Sequence, residues 1–327
     1  MEKRKIGNTD LRASVVGFGC WGLSGNKFWP GSNDKDSIDA VMTAYEHDVN
    51  FFDVAPIYGF GHSEELLGKA IKKIERGKII IASKCGLVWD ANYNVKNLLS
   101  RESILKEIDD SLKRLDVEYI DIYQLHWPDL TTSIEETIDT MNLIKDAGKI
   151  HHIGISNFPV DLANKAMEYG NIVSQQCLYN MFDRNENIYH EIKLTYLTEK
   201  EILPFCKKNN LAFFPYSPLC QGLLTGSINE NTKFGKDDVR AYNPSLKGEK
   251  LKKRAEVVKM LTKIAQNINK PLSQIAINWL INNSVITSVI CGALNSAQAT
   301  ENSLSKTWEI DDKTMREINL CLKSLEV

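Results

Sequence analysis

The sequence lacks any run of about 20 apolar residues, the length that a helix needs to cross a membrane. Its amino terminus, MEKRKIGNTD, is charged and no apolar stretch follows it, so we expect no signal peptide. The seven cysteines are dispersed, and none stands in a C-x-x-C pair. We therefore predict a reduced, cytoplasmic protein that binds no membrane and no metal.

Net charge is also small. The chain has 40 Lys and Arg against 42 Asp and Glu, which gives a formal net charge of −2 at pH 7. No overall field then attracts nucleic acid or anionic lipid, and we interpret the basic run KLKKR at 250–254 as a solvated helix face. The expected partner is a small molecule, and the sequence does not reveal the oligomeric state.

One glycine-rich stretch has the spacing of a dinucleotide-binding fingerprint, but the residues around it do not fit a Rossmann fold. Residues 17–22 read GFGCWG and follow an apolar pair, which fits G-x-G-x-x-G after a strand. In a Rossmann fold the last glycine opens a helix that receives the pyrophosphate. Here a loop containing Pro30 follows, the first helical pattern begins near Asp36, and Asp53 lies beyond the usual spacing of ~20 residues. These surroundings disfavour a Rossmann dehydrogenase.

Short β-branched or aromatic runs alternate with longer helical patterns along the chain. One helix is bounded by a capping box of Ser133 and Glu136 and by Gly148. Such alternation predicts a parallel sheet covered by helices, and eight units favour one closed (β/α)8 TIM barrel domain over residues 1–327. The predicted strands are residues 13–19, 50–55, 78–85, 119–126, 151–157, 172–180, 212–217 and 288–293.

Two polar stretches interrupt this alternation, residues 183–199 after the sixth predicted strand and residues 226–248 after the seventh. In a barrel of this type, the loops that follow the strands surround the active site. We therefore predict that both insertions extend the carboxyl-terminal face and shape the mouth of the pocket.

Polar side chains lie at the ends of three neighbouring predicted strands. Asp53, Lys84 and His126 end the second, third and fourth strands, and Tyr58 lies in the loop after the second. All four can converge, because the carboxyl ends of barrel strands meet at one rim. Asp53 is the natural partner of a buried lysine on the adjacent strand. Taken singly, the ion pair could be structural, His126 a core histidine and Tyr58 an ordinary loop residue.

Together, these four side chains are what carbonyl reduction requires. Hydride addition leaves an alkoxide, so a proton donor has to lie at the carbonyl oxygen. Tyr58 can keep its proton at neutral pH, and a nearby ammonium group favours the phenolate formed after transfer. Lys84, held by Asp53, would supply that charge, and His126 could donate a hydrogen bond to the same oxygen.

Six stretches closely resemble the aldo-keto reductase family, in the family's order from residue 4 to about residue 303. They are DVAPIYGFGHSEELLGKAI (53–71), IASKCG (81–86), YIDIYQLHWPD (119–129), HHIGISNF (151–158), YSPLCQGLLTG (216–226) and ICGALNSAQATEN (290–302). The resemblance implies a bacterial-type NADPH-dependent reductase with Asp53, Tyr58, Lys84 and His126 as a catalytic tetrad, in which Tyr58 donates the proton.

The resemblance also implies a nicotinamide cofactor that lies extended across the barrel mouth. The carboxamide would contact Ser156, Asn157 and Gln176, and the ring would stack on Tyr216. The backbone from Ser217 to Leu219, with Gly222 and Leu223, would line the pyrophosphate. The adenosine end would rest on residues 292–295 with Gln298, Glu301 and Asn302. The stretch GFGCWG then becomes the end of strand one and a loop over the nicotinamide. The implied cofactor contacts are Gly19, Cys20, Trp21, Ser156, Asn157, Gln176, Tyr216, Ser217, Pro218, Leu219, Gly222, Leu223, Arg240, Gly292, Ala293, Leu294, Asn295, Gln298, Glu301 and Asn302.

Leu294 departs from the family pattern for NADPH. Relatives that use NADPH usually have Arg, Lys or a hydroxyl residue there, because the 2′-phosphate needs charge-assisted donors. Asn295, Lys233, Lys236 or Arg240 could supply such donors instead. NADPH is therefore the favoured cofactor, and NADH is the alternative.

Three tryptophans, Trp21, Trp89 and Trp127, are candidate walls of a substrate pocket around Tyr58, although ordinary packing at the rim would also account for Trp89. We predict reduction of an aldehyde or ketone, or the reverse reaction on an alcohol or sugar. The alternative is a regulatory, cofactor-sensing subunit, as in the beta subunits of potassium channels that belong to the resembled family. The barrel pattern starts almost at residue 1, so we expect no amino-terminal extension for that role.

Overall fold

The apolar runs between the helical segments form eight parallel strands in the computed structural model, which describes residues 1–25, 29–236 and 238–325. Consecutive strands lie side by side from the first to the seventh, and the eighth returns to pair with the first. The strands are β1 (Val16–Gly19), β2 (Phe51–Asp53), β3 (Ile80–Cys85), β4 (Ile120–Leu125), β5 (Ile150–Ser156), β6 (Ile172–Leu178), β7 (Ala212–Tyr216) and β8 (Val289–Gly292).

The barrel closes between β7 and β8. A parallel bridge joins Phe213 of β7 to Ile286, just before β8, and the backbone N–H of Thr287 donates to the Phe213 carbonyl over 2.9 Å. With the ladder of the other seven pairs, this bridge completes the ring of strands. The predicted (β/α)8 barrel is confirmed.

Ten α-helices occur in the described residues, most of them between the strands. They are α1 (Asp34–Glu46), α2 (His62–Ile71), α3 (Arg101–Leu115), α4 (Ile134–Asp146), α5 (Val160–Tyr169), α6 (Leu203–Asn209), α7 (Gly248–Asn267), α8 (Leu272–Ile281), α9 (Ser296–Ser303) and α10 (Asp312–Lys323). No helix in this part of the chain is both long enough and apolar enough to span a lipid bilayer.

Alternation along the strands brings the polar residues of the rim into the barrel. Side chains two apart on a strand share a face, so Asp53 follows the interior residue Phe51 of β2, and Lys84 follows Ala82 of β3. The layer below is apolar, and its rings of Phe51 and Phe214 lie 4.6 Å apart between centroids. The fold therefore places a polar ring on a packed apolar floor.

Several predicted boundaries were wrong by one to three residues. The largest error is at the first strand, predicted over residues 13–19. Arg12–Ser14 instead pairs antiparallel with Lys3–Lys5, and β1 begins at Val16. This amino-terminal hairpin brings Ile6 into the apolar interior of the barrel, which explains why an apolar residue before β1 is buried without belonging to the barrel sheet.

The stretch GFGCWG continues from β1 into a single 3-10 turn, Cys20–Leu23, rather than into a Rossmann helix. The next helix, α1, begins at Asp34 after the cap Asn33, two residues before the predicted start. The loop between them includes residues 26–28, which lie outside the described part of the chain.

Both insertions have local structure. Within residues 183–199, Ile188–Tyr189 pairs with Ile192–Lys193, and a π-helical turn at Thr198–Ile202 leads into α6. The second insertion, residues 226–248, contains 3-10 turns at Val239–Tyr242 and Pro244–Leu246, while residue 237 is outside the described part. A third small hairpin, Leu87–Trp89 with Val95–Asn97, follows β3.

Candidate active site

The ammonium group of Lys84 lies at the centre of the site and is fully buried. Its Nζ donates to Asp53 Oδ2 over 2.7 Å, to the Val54 carbonyl over 3.0 Å and to the Tyr58 hydroxyl oxygen over 3.0 Å. Three acceptors therefore match the three hydrogens of the ammonium group. The structure brings together the predicted strand-end pair and the predicted loop tyrosine.

The other oxygen of the Asp53 carboxylate is held by two glutamines. Gln176 Nε2 donates to Oδ1 over 2.8 Å, and Gln124 Nε2 donates to the same atom over 3.2 Å. All three side chains are buried. This arrangement satisfies a buried carboxylate on both oxygens, which keeps the Asp53 charge fixed beside Lys84.

Burial and charge set the protonation states of this pair. Burial alone would lower the pKa of Lys84, but the Asp53 carboxylate and the Tyr58 oxygen outweigh it, and the pKa is raised. Burial raises the pKa of Tyr58, and the positive charge of Lys84 opposes part of that rise. At neutral pH, Lys84 is therefore charged and Tyr58 keeps its proton.

His126 follows β4 immediately and has only 9% of its surface exposed. Its ring centroid lies 6.0 Å from that of Tyr58, across the mouth of the barrel. Burial, and after it the charge of Lys84, hold the pKa of His126 well below its usual value. The imidazole is therefore neutral at physiological pH and carries one N–H donor.

Asn157 connects the ends of β4, β5 and β7. Its Nδ2 donates to the His126 carbonyl over 3.1 Å, while its Oδ1 accepts from Tyr216 over 3.0 Å and from Tyr196 over 2.7 Å. Its φ of 61° lies in the left-handed region, where asparagine is tolerated. The neighbouring Ser156, buried at the end of β5, accepts a further bond from the same amide over 3.0 Å.

The segment predicted to line a pyrophosphate begins at Ser217, directly after β7, and continues into a tight 3-10 turn, Cys220–Thr225. Gly222 has a φ of 98°, a conformation that glycine adopts at no steric cost. Pro218 and Leu223 are buried and Leu219 packs against the core. The backbone here turns sharply, as close approach to a ligand requires.

Arg240 lies over two aromatic rings, with its guanidinium carbon 5.2 Å from the Trp29 centroid and 4.8 Å from the Phe234 centroid. Its Nη2 also donates to Asp238 Oδ2 over 2.7 Å. Together with Lys233 it lines a cavity of about 480 Å³. Two cations beside apolar walls suit a phosphate attached to an adenosine.

The predicted adenosine end surrounds the start of α9. Asn295 caps this helix by accepting from the Gln298 N–H over 3.0 Å, and Gln298 Oε1 accepts from the Leu294 N–H over 2.9 Å. Leu294 packs on the GFGCWG loop, because a Cβ added to Gly22 would lie 3.0 Å from Leu294 Cδ2. Leucine at position 294 therefore has a packing role.

The remaining predicted contacts divide between this end and the nicotinamide end. Asn302 donates to the Gly292 carbonyl over 3.0 Å, whereas the Glu301 carboxylate accepts from Ser273 of α8. Ala293 is buried at the adenosine end, and Gly19 and Cys20 are buried at the nicotinamide end. Burial raises the pKa of the Cys20 thiol well above its usual value.

The three tryptophans take different places. Trp21 meets the Tyr58 ring edge to face, with centroids 4.8 Å apart. Trp89 packs instead on Phe60, at 5.4 Å, and Trp127 packs against the core beside His126. Of the three tryptophans, Trp21 alone has a ring contact with Tyr58 among the described residues.

Sequence reasoning missed the roles of Gln124, Tyr189 and Tyr196. Gln124 could have been found, because it lies two residues before His126 on β4 and strand alternation sends it into the barrel. Tyr189 and Tyr196 lie in the first insertion, where no periodic pattern indicates orientation. The described residues contain no cluster of three or more His, Cys, Asp or Glu suited to hold a metal.

Comparison with known proteins decides the family. The sequence model of the Aldo/keto reductase family matches residues 15–323. This chain belongs to the aldo/keto reductase family. A solved glycerol dehydrogenase from Gluconobacter oxydans, AKR11B4, superposes with a TM-score of 0.86 at 30% identity, over 98% of this chain and 94% of that chain.

Three curated relatives of this reductase-family chain span most of their own length in the match. Aldo-keto reductase YhdN of Bacillus subtilis is 34% identical, over 99% of this chain and 94% of its own. The NADH-specific methylglyoxal reductase of Escherichia coli is 32% identical, over 95% of both chains. A probable voltage-gated potassium channel subunit beta of Arabidopsis thaliana is 31% identical, over 92% and 90%. Family membership and the reductase names support an oxidoreductase that uses a nicotinamide cofactor.

Proposed function

We propose that this protein reduces an aldehyde or ketone to the alcohol, or catalyses the reverse reaction, with NADPH as the favoured cofactor and Tyr58 as the general acid. The observation that carries this proposal is the position of the Lys84 ammonium group, between the Asp53 carboxylate at 2.7 Å and the Tyr58 oxygen at 3.0 Å. A buried cation in that place stabilises a phenolate, the species that proton donation by Tyr58 leaves behind.

The cofactor supplies a hydride when it is bound, and the protein supplies the proton and the charge stabilisation. Tyr58 holds the proton because burial raises its pKa. Lys84 donates to the Tyr58 oxygen throughout, so the negative charge forms beside a positive one. Asp53 acts through Lys84, because its carboxylate keeps the ammonium group charged and aimed at Tyr58.

His126 and Trp21 orient the reacting group. The neutral imidazole of His126 faces Tyr58 and can donate its single N–H to the same carbonyl oxygen. Trp21 packs its ring against the Tyr58 ring at 88°, which limits the rotation of Tyr58. Two donors at one oxygen then polarise the carbonyl before hydride transfer.

Cofactor choice depends on which groups meet the adenosine 2′-hydroxyl or 2′-phosphate. Arg240 and Lys233 favour NADPH, because both line the cavity beside the second insertion. Against NADPH stand Leu294 and the NADH-specific Escherichia coli relative. The guanidinium of Arg240 is already paired with Asp238, so a phosphate would have to share it.

The first test is turnover of 4-nitrobenzaldehyde with NADPH and with NADH, in the wild type and in Tyr58→Phe. We expect kcat to fall by about 10²- to 10⁴-fold in Tyr58→Phe, the usual contribution of general acid catalysis, while cofactor binding is retained. Tyr119→Phe is the matched control, because Tyr119 lies immediately before β4, at the opposite end of the barrel. Full activity of Tyr58→Phe would refute the assignment.

A regulatory, cofactor-sensing subunit is the second candidate, and the Arabidopsis channel subunit is the observation that favours it. Its signature would be tight cofactor binding by the wild type without turnover of any aldehyde or ketone. Binding and turnover are measured on the same preparation, so the two functions are distinguished directly.

A further inference from the structure

Backbone strain is concentrated in two neighbouring segments of the barrel mouth. Of the twelve non-glycine residues of the described chain with positive φ, two form the turn of the first insertion, His190 at 46° and Glu191 at 66°. Three more, Ser217, Cys220 and Gln221, follow β7 with φ between 47° and 56°. A left-handed backbone conformation costs free energy at any residue other than glycine, and it persists only where the surrounding structure holds it.

The turn belongs to a hairpin, Ile188–Lys193, which we call the mouth hairpin. Its two central residues both need positive φ, a turn that usually selects glycine or asparagine. Here the turn has His190 and Glu191 instead. Contacts outside the hairpin must therefore hold it in place.

Two side-chain contacts join the mouth hairpin to the segment after β7. The hydroxyl of Tyr189 lies 2.8 Å from Ser217 Oγ, and Gln221 Nε2 lies 2.8 Å from His190 Nε2. Gln221 also accepts at Oε1 from Asn243 over 2.8 Å, which connects the second insertion. Burial lowers the pKa of His190 to about 4, so the imidazole is neutral and its Nε2 can accept from the Gln221 amide.

Strand alternation determines which side of the mouth hairpin faces the pocket. Ile188 is 37% exposed, whereas Tyr189 is half-buried and its ring lies 5.6 Å from the Tyr216 ring. Burial raises the pKa of Tyr189, whose ring packs beside Tyr216 and whose hydroxyl contacts Ser217. Tyr189 thus faces the mouth from the side of β7.

We propose that Tyr189 is a specificity-determining residue whose ring forms a wall of the carbonyl pocket and whose hydroxyl couples that wall to the cofactor-binding segment through Ser217. The proposal rests on the proposed function, in which the backbone from Ser217 lines the pyrophosphate and Tyr58 protonates the carbonyl. An aromatic wall beside Tyr216 selects carbonyl compounds with a flat apolar substituent over small aliphatic ones.

The first experiment measures selectivity with two probes, 4-nitrobenzaldehyde and propanal. We expect Tyr189→Ala to lower kcat/KM for 4-nitrobenzaldehyde about tenfold or more, because the ring contact is lost, and to leave that for propanal within about twofold. Ile188→Ala, on the outward face, is the matched control and should keep the wild-type ratio. Tyr189→Leu replaces Tyr189→Ala if the alanine variant unfolds.

The second experiment measures the coupling. Tyr189→Phe and Ser217→Ala each remove one partner of a neutral hydrogen bond, so each should raise the cofactor Kd about two- to tenfold. The cofactor Kd of the double variant should be no higher than the higher of the two single-variant values, because all three variants remove the same hydrogen bond. Quenching of tryptophan fluorescence by NADPH reports the Kd without any turnover.

Each outcome decides a different claim. If the ratio of kcat/KM for the two aldehydes is unchanged in Tyr189→Ala, the specificity role is overturned. If the effects of Tyr189→Phe and Ser217→Ala on the free energy of cofactor binding add fully in the double variant, the coupling is overturned. If the wild type reduces neither aldehyde, the proposed function fails, and the Kd cycle still tests the coupling alone.

Discussion

Arg240 is the residue whose side chain best tests cofactor choice. Its guanidinium is stacked on Trp29 and Phe234 and paired with Asp238, so it is held at the cavity without a ligand. We expect Arg240→Met to raise the Kd of NADPH about ten- to hundredfold, the loss of one charge-assisted hydrogen bond, and to change that of NADH less than about threefold. Fluorescence titration with both cofactors measures the two constants.

Lys253→Met is the control for Arg240→Met, because Lys253 is exposed on α7, also carries a positive charge and does not line the cavity that Arg240 lines. Equal weakening of NADPH and NADH in the arginine variant would contradict a 2′-phosphate contact. It would indicate instead that Arg240 supports the conformation of residues 226–248.

Individual site residues differ in how far the sequence predicts them. Asp53 and Lys84 were predicted to pair because a charged residue in a buried strand needs a partner, and that argument needs no coordinates. Gln176 was assigned to the cofactor carboxamide, yet in this structure its amide holds the Asp53 carboxylate. The acceptor of the Gln176 amide can be predicted only when it is known which strand ends face Gln176 in the barrel. The catalytic roles stay predictions until turnover is measured.

At the scale of elements, α3 ends in a strained residue that can be improved. Asp116 caps this helix with a φ of 55°, and its N–H donates to the Leu112 carbonyl. The only partner of its carboxylate within the described contacts is Lys72, and both side chains are more than 70% exposed, so the pair contributes little. Glycine adopts this conformation without a steric cost.

We therefore expect Asp116→Gly to raise the free energy of unfolding by about 0.5 to 1 kcal/mol. Asp116→Ala is the control, because it removes the same carboxylate but keeps the left-handed strain, and it should give no gain. Urea unfolding followed by circular dichroism measures both variants. A loss of stability in Asp116→Gly would show that the ion pair with Lys72 matters more than the backbone.

Periodic elements were predicted well, and short irregular ones were not. All eight barrel strands were found because each is a buried apolar run between two helical patterns. The amino-terminal hairpin and the mouth hairpin were missed because strands of two or three residues leave no readable alternation. In the predicted capping box at α4, the role of Ser133 was correct and that of the Glu136 side chain was wrong. Ser133 accepts from the Glu136 N–H, but the Glu136 carboxylate turns to the Arg101 N–H.

For the whole molecule, a buried carboxyl between α3 and β3 makes stability depend on pH. Burial raises the pKa of Glu107 from 4.5 to about 7, although the Gly86 N–H and the Ser103 hydroxyl, which both donate to it, favour the charged form. The folded protein then binds a proton more tightly here than the unfolded chain does. Stability from this group is highest below pH 4.5 and falls as the pH rises to about 7.

Glu107→Gln resembles the protonated form and removes this titration. Relative to the wild type, we expect the variant to gain about 2 to 3 kcal/mol of unfolding free energy between pH 5 and pH 8. Urea unfolding at several pH values measures the difference, which cancels the other titrating groups. A constant difference across that range would mean that Glu107 is already ionised at pH 5.

The contacts of Lys84 also fix a direction that distances alone do not state. Its three N–H bonds point to Asp53, to the Val54 carbonyl and to the oxygen of Tyr58, so Tyr58 is an acceptor on that side. The hydroxyl hydrogen of Tyr58 is therefore turned away from the lysine. Tyr58 can therefore donate its proton only in one direction, away from the barrel floor and toward the mouth.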